Sequence, residues 1–157
     1  MPTTEALLRG HPFLAGLDES YVLLLATKAS PAEFADGSLL FREGDPADQF
    51  FLLHTGRLAL EISMPGRDPF TVQTLTAGDV AGFSWLLDPH VWEFSGRALE
   101  PVRATVLDGR SLRAECEEDS WLGFDLMRRF ARLATSRLQA TRLRLLDVYG
   151  NPREIAG

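Results

Sequence analysis

The sequence predicts a mainly β domain: a jelly-roll-like, double-stranded β-roll with short helices before it and a long helix after it. Three observations predict this. Between residues 38 and 108, short β-prone runs (SLLFRE, QFFLLHT, RLALEIS, FTVQTLT, VRATVLD) alternate with turn clusters such as EGDPAD, TG, MPGRD and AGD. Even spacing of this kind marks a roll or barrel, because β-α-β units would place helices between the strands. Residues 1–30 instead carry helix caps and stops, and beyond Asp108 apolar residues recur every three or four positions.

Taken in order, TTEALLRG reads as a first helix, with Thr3 or Thr4 as cap and Gly10 as stop. LDESYVLLLATKA reads as a second, capped by Asp18. The roll occupies 38–108 and the C-terminal helices 110–150. In the long helix, Leu122, Leu126, Phe130, Leu133, Ala134, Leu138, Thr141, Leu145 and Val148 form one stripe, which Leu143 and Leu146 widen. Gly150 and Pro152 stop it. A helix from about residue 120 to 149 is about 45 Å long, more than a small roll can cover. One face is therefore expected to pack on the roll and another on a second copy, giving a homodimer.

The 157 residues are the length of a single domain, and an apolar share of 45% is enough for a real core. Net charge of −6 argues against nucleic acid as the partner. Cys116 is the only cysteine, so no disulfide framework exists and a reducing, cytoplasmic setting is expected. No run is long enough for a membrane span, and MPTTEALLRGHPF lacks the form of a signal peptide. His11, His54 and His90 have no metal-ligand spacing, so no metal site is expected. Cys116 lies in the acidic RAECEED, which raises rather than lowers a thiol pKa. No Ser–His–Asp set, phosphate-binding Gly loop or catalytic carboxylate pair stands out, and no enzyme is expected. Arg128, Arg129, Arg132, Arg137, Arg142 and Arg144 read as a solvated helix face paired with acidic neighbours such as Asp125 and Asp147.

LLFREGDPADQFFLLHTGRLAL, residues 39–60, resembles the cyclic-nucleotide-binding domain of the catabolite activator protein and its relatives. The matching positions are Phe41, Gly44 and Asp45 of a Phe-x-x-Gly-Asp turn, the apolar strand 50–53, and Gly56 opening the next strand. TAGDVAG is similar to the family's Pro-Gly-Asp-x-Phe-Gly through Gly78, Asp79 and Gly82, and RALEPVRATVLDGRSL to its last strands and following helix. The resemblance implies a stand-alone regulatory or sensor domain. The family's DNA-binding helix-turn-helix domain would follow the long helix, and none is expected in the seven residues after Gly150.

The resemblance also implies where a ligand sits: a Gly-Glu pair, a short helix, and then an Arg, with Glu on the ribose hydroxyl and Arg on the cyclic phosphate. Carried onto GDVAGFSWLLDPHVWEFSGRA, residues 78–98, the glycine is Gly82, the Glu position is Phe83, and the Arg position is Trp92. Both charged contacts are replaced by aromatics. Ser84 would cap the short helix SWLL, Trp85 falls within it, and Glu93 follows the lost Arg. Burying a phosphate without its charged partner costs about 3–5 kcal/mol. Arg97 stands five residues after Trp92, an odd offset that turns it to the opposite face of a strand. Three readings fit: aromatics that fill a vacated pocket in a protein-interaction module, a reshaped cavity for an apolar ligand, or a cyclic nucleotide held in an unusual way. The candidate ligand-site residues are therefore Gly82, Phe83, Ser84, Trp85, Trp92, Glu93 and Arg97.

Overall fold

The structure is a computed structural model that describes residues 2–149. Thr3 caps α1 (Thr4–Gly10) by accepting from the Ala6 N–H at 3.1 Å. A single 3-10 turn (Pro12–Leu14) follows, and Asp18 caps α2 (Glu19–Thr27), accepting from the Ser20 N–H at 2.9 Å. Both helices start where the sequence predicts.

The strands are β1 (Ala29–Phe34), β2 (Leu39–Phe41), β3 (Gln49–Thr55), β4 (Leu58–Ile62), β5 (Phe70–Leu75), β6 (Val80–Ala81), β7 (Ser95–Ala98) and β8 (Val102–Asp108). They form two antiparallel sheets, in the orders β1-β8-β3-β6 and β2-β7-β4-β5. The five predicted runs became β2, β3, β4, β5 and β8. The roll begins earlier than expected, however. Residues 29–34 are an edge strand paired with β8 from Ala29 opposite Leu107 to Phe34 opposite Val102. Pro31 disguises it, and an edge is where a strand tolerates a residue with no N–H.

β3 explains how the two sheets and the helices share one core. Its residues 50–53 are all buried, and alternate side chains point to opposite faces. Phe50 and Leu52 join Leu8, Leu25, Leu107, Leu112 and Leu122 in a core between the sheet and the helices. Phe51 and Leu53 join Leu58, Leu75, Ala98 and Val102 between the two sheets. Each such side chain contributes about 1.5–3 kcal/mol through burial.

Asp108 caps α3 (Gly109–Glu118), accepting from the Ser111 N–H at 3.1 Å. Asp119 separates α3 from α4 (Ser120–Tyr149), accepting from the N–H groups of Trp121 and Leu122 at 3.1 and 3.2 Å. The first half of α4 seats Leu122, Leu126 and Phe130 in the helix-side core. Past Phe130, Ala134, Leu138, Leu143 and Leu146 are exposed. Gly150 and Pro152, the expected stop, lie outside the described residues, as do the side chains of Arg144, Leu145 and Val148.

Two of the arginines taken as solvated turn inward. The Arg129 side chain is only 12% exposed and bonds Asp125 one turn earlier. Its Nη1 also donates to the carbonyls of Phe13 and Ala15, both at 2.8 Å, tying α4 to the N-terminal segment. Arg137 is the second.

Candidate functional site

A cavity of about 570 Å³ lies between the β2-β7-β4-β5 sheet, the connection over 82–94 and α4. That volume is in the range of small-molecule sites. The sheet contributes Phe41, Leu60, Phe70, Val72 and Gln73, the connection Gly82, Phe83, Ser84, Trp92, Glu93 and Phe94. From α4 come Ala134, Arg137, Leu138 and Thr141, spaced i, i+3, i+4, i+7 and so on one helix face.

The indole of Trp92 stacks on Phe41 within this wall. Its backbone is held on both sides by the Phe-x-x-Gly-Asp turn: the Trp92 N–H donates to the Asp45 carbonyl, and the Gly44 N–H donates to the Trp92 carbonyl, each at 2.9 Å. Gly82 has φ +118°, and a Cβ there would stand 3.0 Å from both Phe50 Cβ and Trp92 Cη2. Only glycine lets the chain leave β6 this close to the indole. Gly96 serves the other ring, since a Cβ would meet Phe41 Cζ at 2.5 Å.

Phe83 is half-buried and meets Phe130 edge-on at 5.4 Å. Over its ring, 5.0 Å away, sits the guanidinium of Arg137, whose Nη2 donates to the Val80 carbonyl. Among the described residues Arg137 has no ion pair. Burial pulls its pKa down to about 10, partly offset by the charge of Asp79.

Five of the seven sequence-predicted residues line the cavity: Gly82, Phe83, Ser84, Trp92 and Glu93. Trp85 does not. It is fully buried on the other side, stacked on Phe50 at 4.8 Å, and belongs to the helix-side core. Arg97 does not either. From β7 its Nε donates to Glu61 Oε1 at 3.1 Å and its Nη1 to the Gly37 carbonyl at 3.0 Å. The expected helix SWLL is instead two successive turns, with the Leu86 N–H on the Phe83 carbonyl and the Leu87 N–H on the Ser84 carbonyl. Pro89 disfavours a helical Asp88 and stops a longer run, and the Ser84 hydroxyl caps nothing among the described residues. Sequence reasoning missed the α4 contribution, because nothing local marks a helix face that folds back some fifty residues after Phe83. Elsewhere, burial and acidic neighbours push the Cys116 thiol up to about 11, which disfavours the thiolate at neutral pH.

The family model described as Cyclic nucleotide-binding domain matches residues 31–119, which span both sheets and α3. The chain belongs to the cyclic nucleotide-binding domain family. A solved structure from Geobacter metallireducens GS-15, assigned to the cyclic nucleotide-binding proteins, shares 32% identity with this domain at a TM-score of 0.79, covering 88% of this chain and 99% of that one. The CRP-like cAMP-activated global transcriptional regulator of Mycobacterium tuberculosis is 26% identical over 92% of this chain and 62% of its own length. Cyclic nucleotide-gated ion channel 1 of Arabidopsis thaliana is 34% identical over 69% of this chain but only 16% of its own. The chain thus matches under two thirds of either curated relative. The fold and a regulatory or sensor role for the domain follow from this membership, and among the described residues no helix is long and apolar enough to cross a membrane.

Proposed function

We propose that this cyclic nucleotide-binding domain is a homodimeric sensor whose cavity takes a mainly apolar small molecule in place of a cyclic nucleotide. One observation carries the reading: at the two positions where the family resemblance implies Glu and Arg, Phe83 and Trp92 form the wall of a cavity that is nonetheless present. A phosphate diester entering it would meet indole and phenyl faces and the exposed carboxylate of Glu93. Without the family's Glu and Arg contacts, Arg137 is the one cation such a ligand would meet among the described lining residues, and the nearby Glu93 carboxylate opposes the phosphate charge, an arrangement that weakens cyclic-nucleotide binding. An interaction module with a filled pocket accounts less well for the open volume beside Gly82.

The relatives are regulators and channels, which favours ligand-controlled regulation over catalysis by this chain. The exposed Leu143 and Leu146 on the outer half of α4 support a helix-to-helix dimer. A single cysteine supports a reducing, cytoplasmic setting, and the acidic net charge favours protein over nucleic-acid partners.

The test is a thermal-shift and fluorescence titration. The neutral apolar probe N-phenyl-1-naphthylamine is expected to bind saturably, while cyclic AMP and cyclic GMP leave the melting temperature unchanged at several millimolar. A cyclic-nucleotide shift at sub-millimolar concentration overturns the reading. Light scattering should give twice the 17.4 kDa chain mass, and Leu143→Glu with Leu146→Glu should halve it. A monomeric wild type rejects the dimer.

A further inference from the structure

We propose that the ligand of this cavity is an apolar monocarboxylate whose carboxylate is held by the guanidinium of Arg137, an inference that rests on the cavity being a ligand site. Among the described residues Arg137 is the one cation in the wall. Among the described residues it has a single hydrogen bond, to the Val80 carbonyl, which leaves most of the guanidinium's donors uncommitted. Glu93, the one anion of the wall, is exposed and makes no ion pair among the described residues. Asp79 acts on Arg137 only through its field, and its Oδ2 accepts from the Thr76 N–H at 2.8 Å.

A guanidinium taken out of water without a counter-ion is a costly arrangement, and a carboxylate is the planar partner that matches it with two parallel hydrogen bonds. The remaining wall sets the rest of the ligand. Ten of the fifteen lining residues are apolar, so the body is hydrocarbon or aromatic. One cation matches one negative charge, and Glu93 at the wall disfavours a second. The Ser84 hydroxyl, without a hydrogen bond among the described residues, is a further donor in the same wall.

Arg137 stands on α4 and already reaches Val80 of β6, so the bound carboxylate joins the helix to the roll at a point the family's cassette does not use. The pKa of about 10 keeps the guanidinium charged at neutral pH, ready for an anion.

The experiment is calorimetry with two probes of one shape, 4-phenylbutyrate and its neutral amide 4-phenylbutanamide. On the wild type the acid is expected to bind at least about tenfold more tightly than the amide, the preference of a charge-assisted over a neutral hydrogen bond. Arg137→Gln should bring the ratio near one with the amide unaffected, and Arg137→Lys should retain part of it. The wild-type Arg137 Nε–H resonance should shift with the acid and not with the amide, a readout that needs no variant to fold. Equal binding of acid and amide to the wild type, or a ratio unchanged in Arg137→Gln, overturns the inference while leaving an apolar ligand site intact. If neither probe binds at millimolar concentration, this inference and the ligand-site reading both fall.

Discussion

The indole of Trp92 lies flat against the ring of Phe41, centroids 3.7 Å apart and planes 10° from parallel. Both rings are nearly buried, with Phe51 behind them at 6.2 Å from the indole. Trp92→Ala should therefore cost about 3–5 kcal/mol, the usual penalty for deleting a buried aromatic. Trp92→Phe, which keeps a ring on Phe41, should cost less than half of that. Urea unfolding measures both. Equal, small losses would mean that the stack is not holding the wall together.

Gly82→Ala places a methyl group 3.0 Å from Phe50 and Trp92 at a φ of +118°. Strain and crowding together should destabilise the domain by about 2–4 kcal/mol. Gly44→Ala is the control, because its φ of +91° is matched by open space. It should show only the backbone penalty of about 1–2 kcal/mol. Identical midpoints for the two variants would sink the crowding argument at Gly82.

His11 is buried, with Nε2 at 3.2 Å from the Leu53 carbonyl and its ring edge-on to His54, whose Nε2 meets Thr105 Oγ1 at 2.7 Å. Burial holds both imidazoles below the ordinary 6.5, the two rings' mutual repulsion adding at His11 and the charge of Arg103 at His54, while Asp79 pulls His11 partly back. Below that pH the unfolded chain binds more protons than the folded one. Stability is thus full above 6.5 and falls as pH drops through it, levelling once the folded rings also protonate. The urea midpoint should decline between about pH 7.5 and 5.5, and His11→Gln should flatten that slope. A wild-type midpoint constant across this window would contradict the assignment.

Arg129 joins Asp125 on its own helix to the carbonyls of Phe13 and Ala15 on the N-terminal segment. Arg129→Met keeps the stem and removes these bonds. It should cost about 2–4 kcal/mol, since the Phe13 carbonyl and the Asp125 carboxylate, both in partly buried bonds, lose a charged donor along with the exposed Ala15 carbonyl. Hydrogen exchange should quicken first over residues 12–17. No change in exchange there would argue that the segment is held by its apolar contacts alone.

What was legible in the sequence was whatever has a period or a turn. The run at 50–53, the caps Thr3 and Asp18, and the stripe from Leu122 to Phe130 all predict their elements because backbone geometry repeats. The strand over residues 29–34 was not legible, because Pro31 and its polar neighbours look like a connection and only pairing with β8 reveals otherwise. At the site, the glycine and its two substituted positions could be located by motif. The side-chain directions within 83–97 could not, since a turn has no fixed alternation. Trp85 consequently faces the helices and not the cavity. Arg97, also counted among the candidate site residues, lies off the cavity: Trp92 precedes β7, so no strand parity relates the two, and Glu61 holds Arg97 instead. Arg137 was the largest omission. An arginine on a charged helix reads as solvated until its neighbours in space are known.

α4 is clamped where Leu122, Leu126 and Phe130 sit and touches the cavity just beyond, through Ala134, Arg137, Leu138 and Thr141. Mechanically this is a lever with its fulcrum beside the point of load. From Phe130 to Tyr149 the arm is about 28 Å, so a tilt of about 5° sweeps its tip through about 2.5 Å. Arg137 stands about 10 Å along that arm, so a displacement of a few tenths of an ångström there is amplified nearly threefold at its tip.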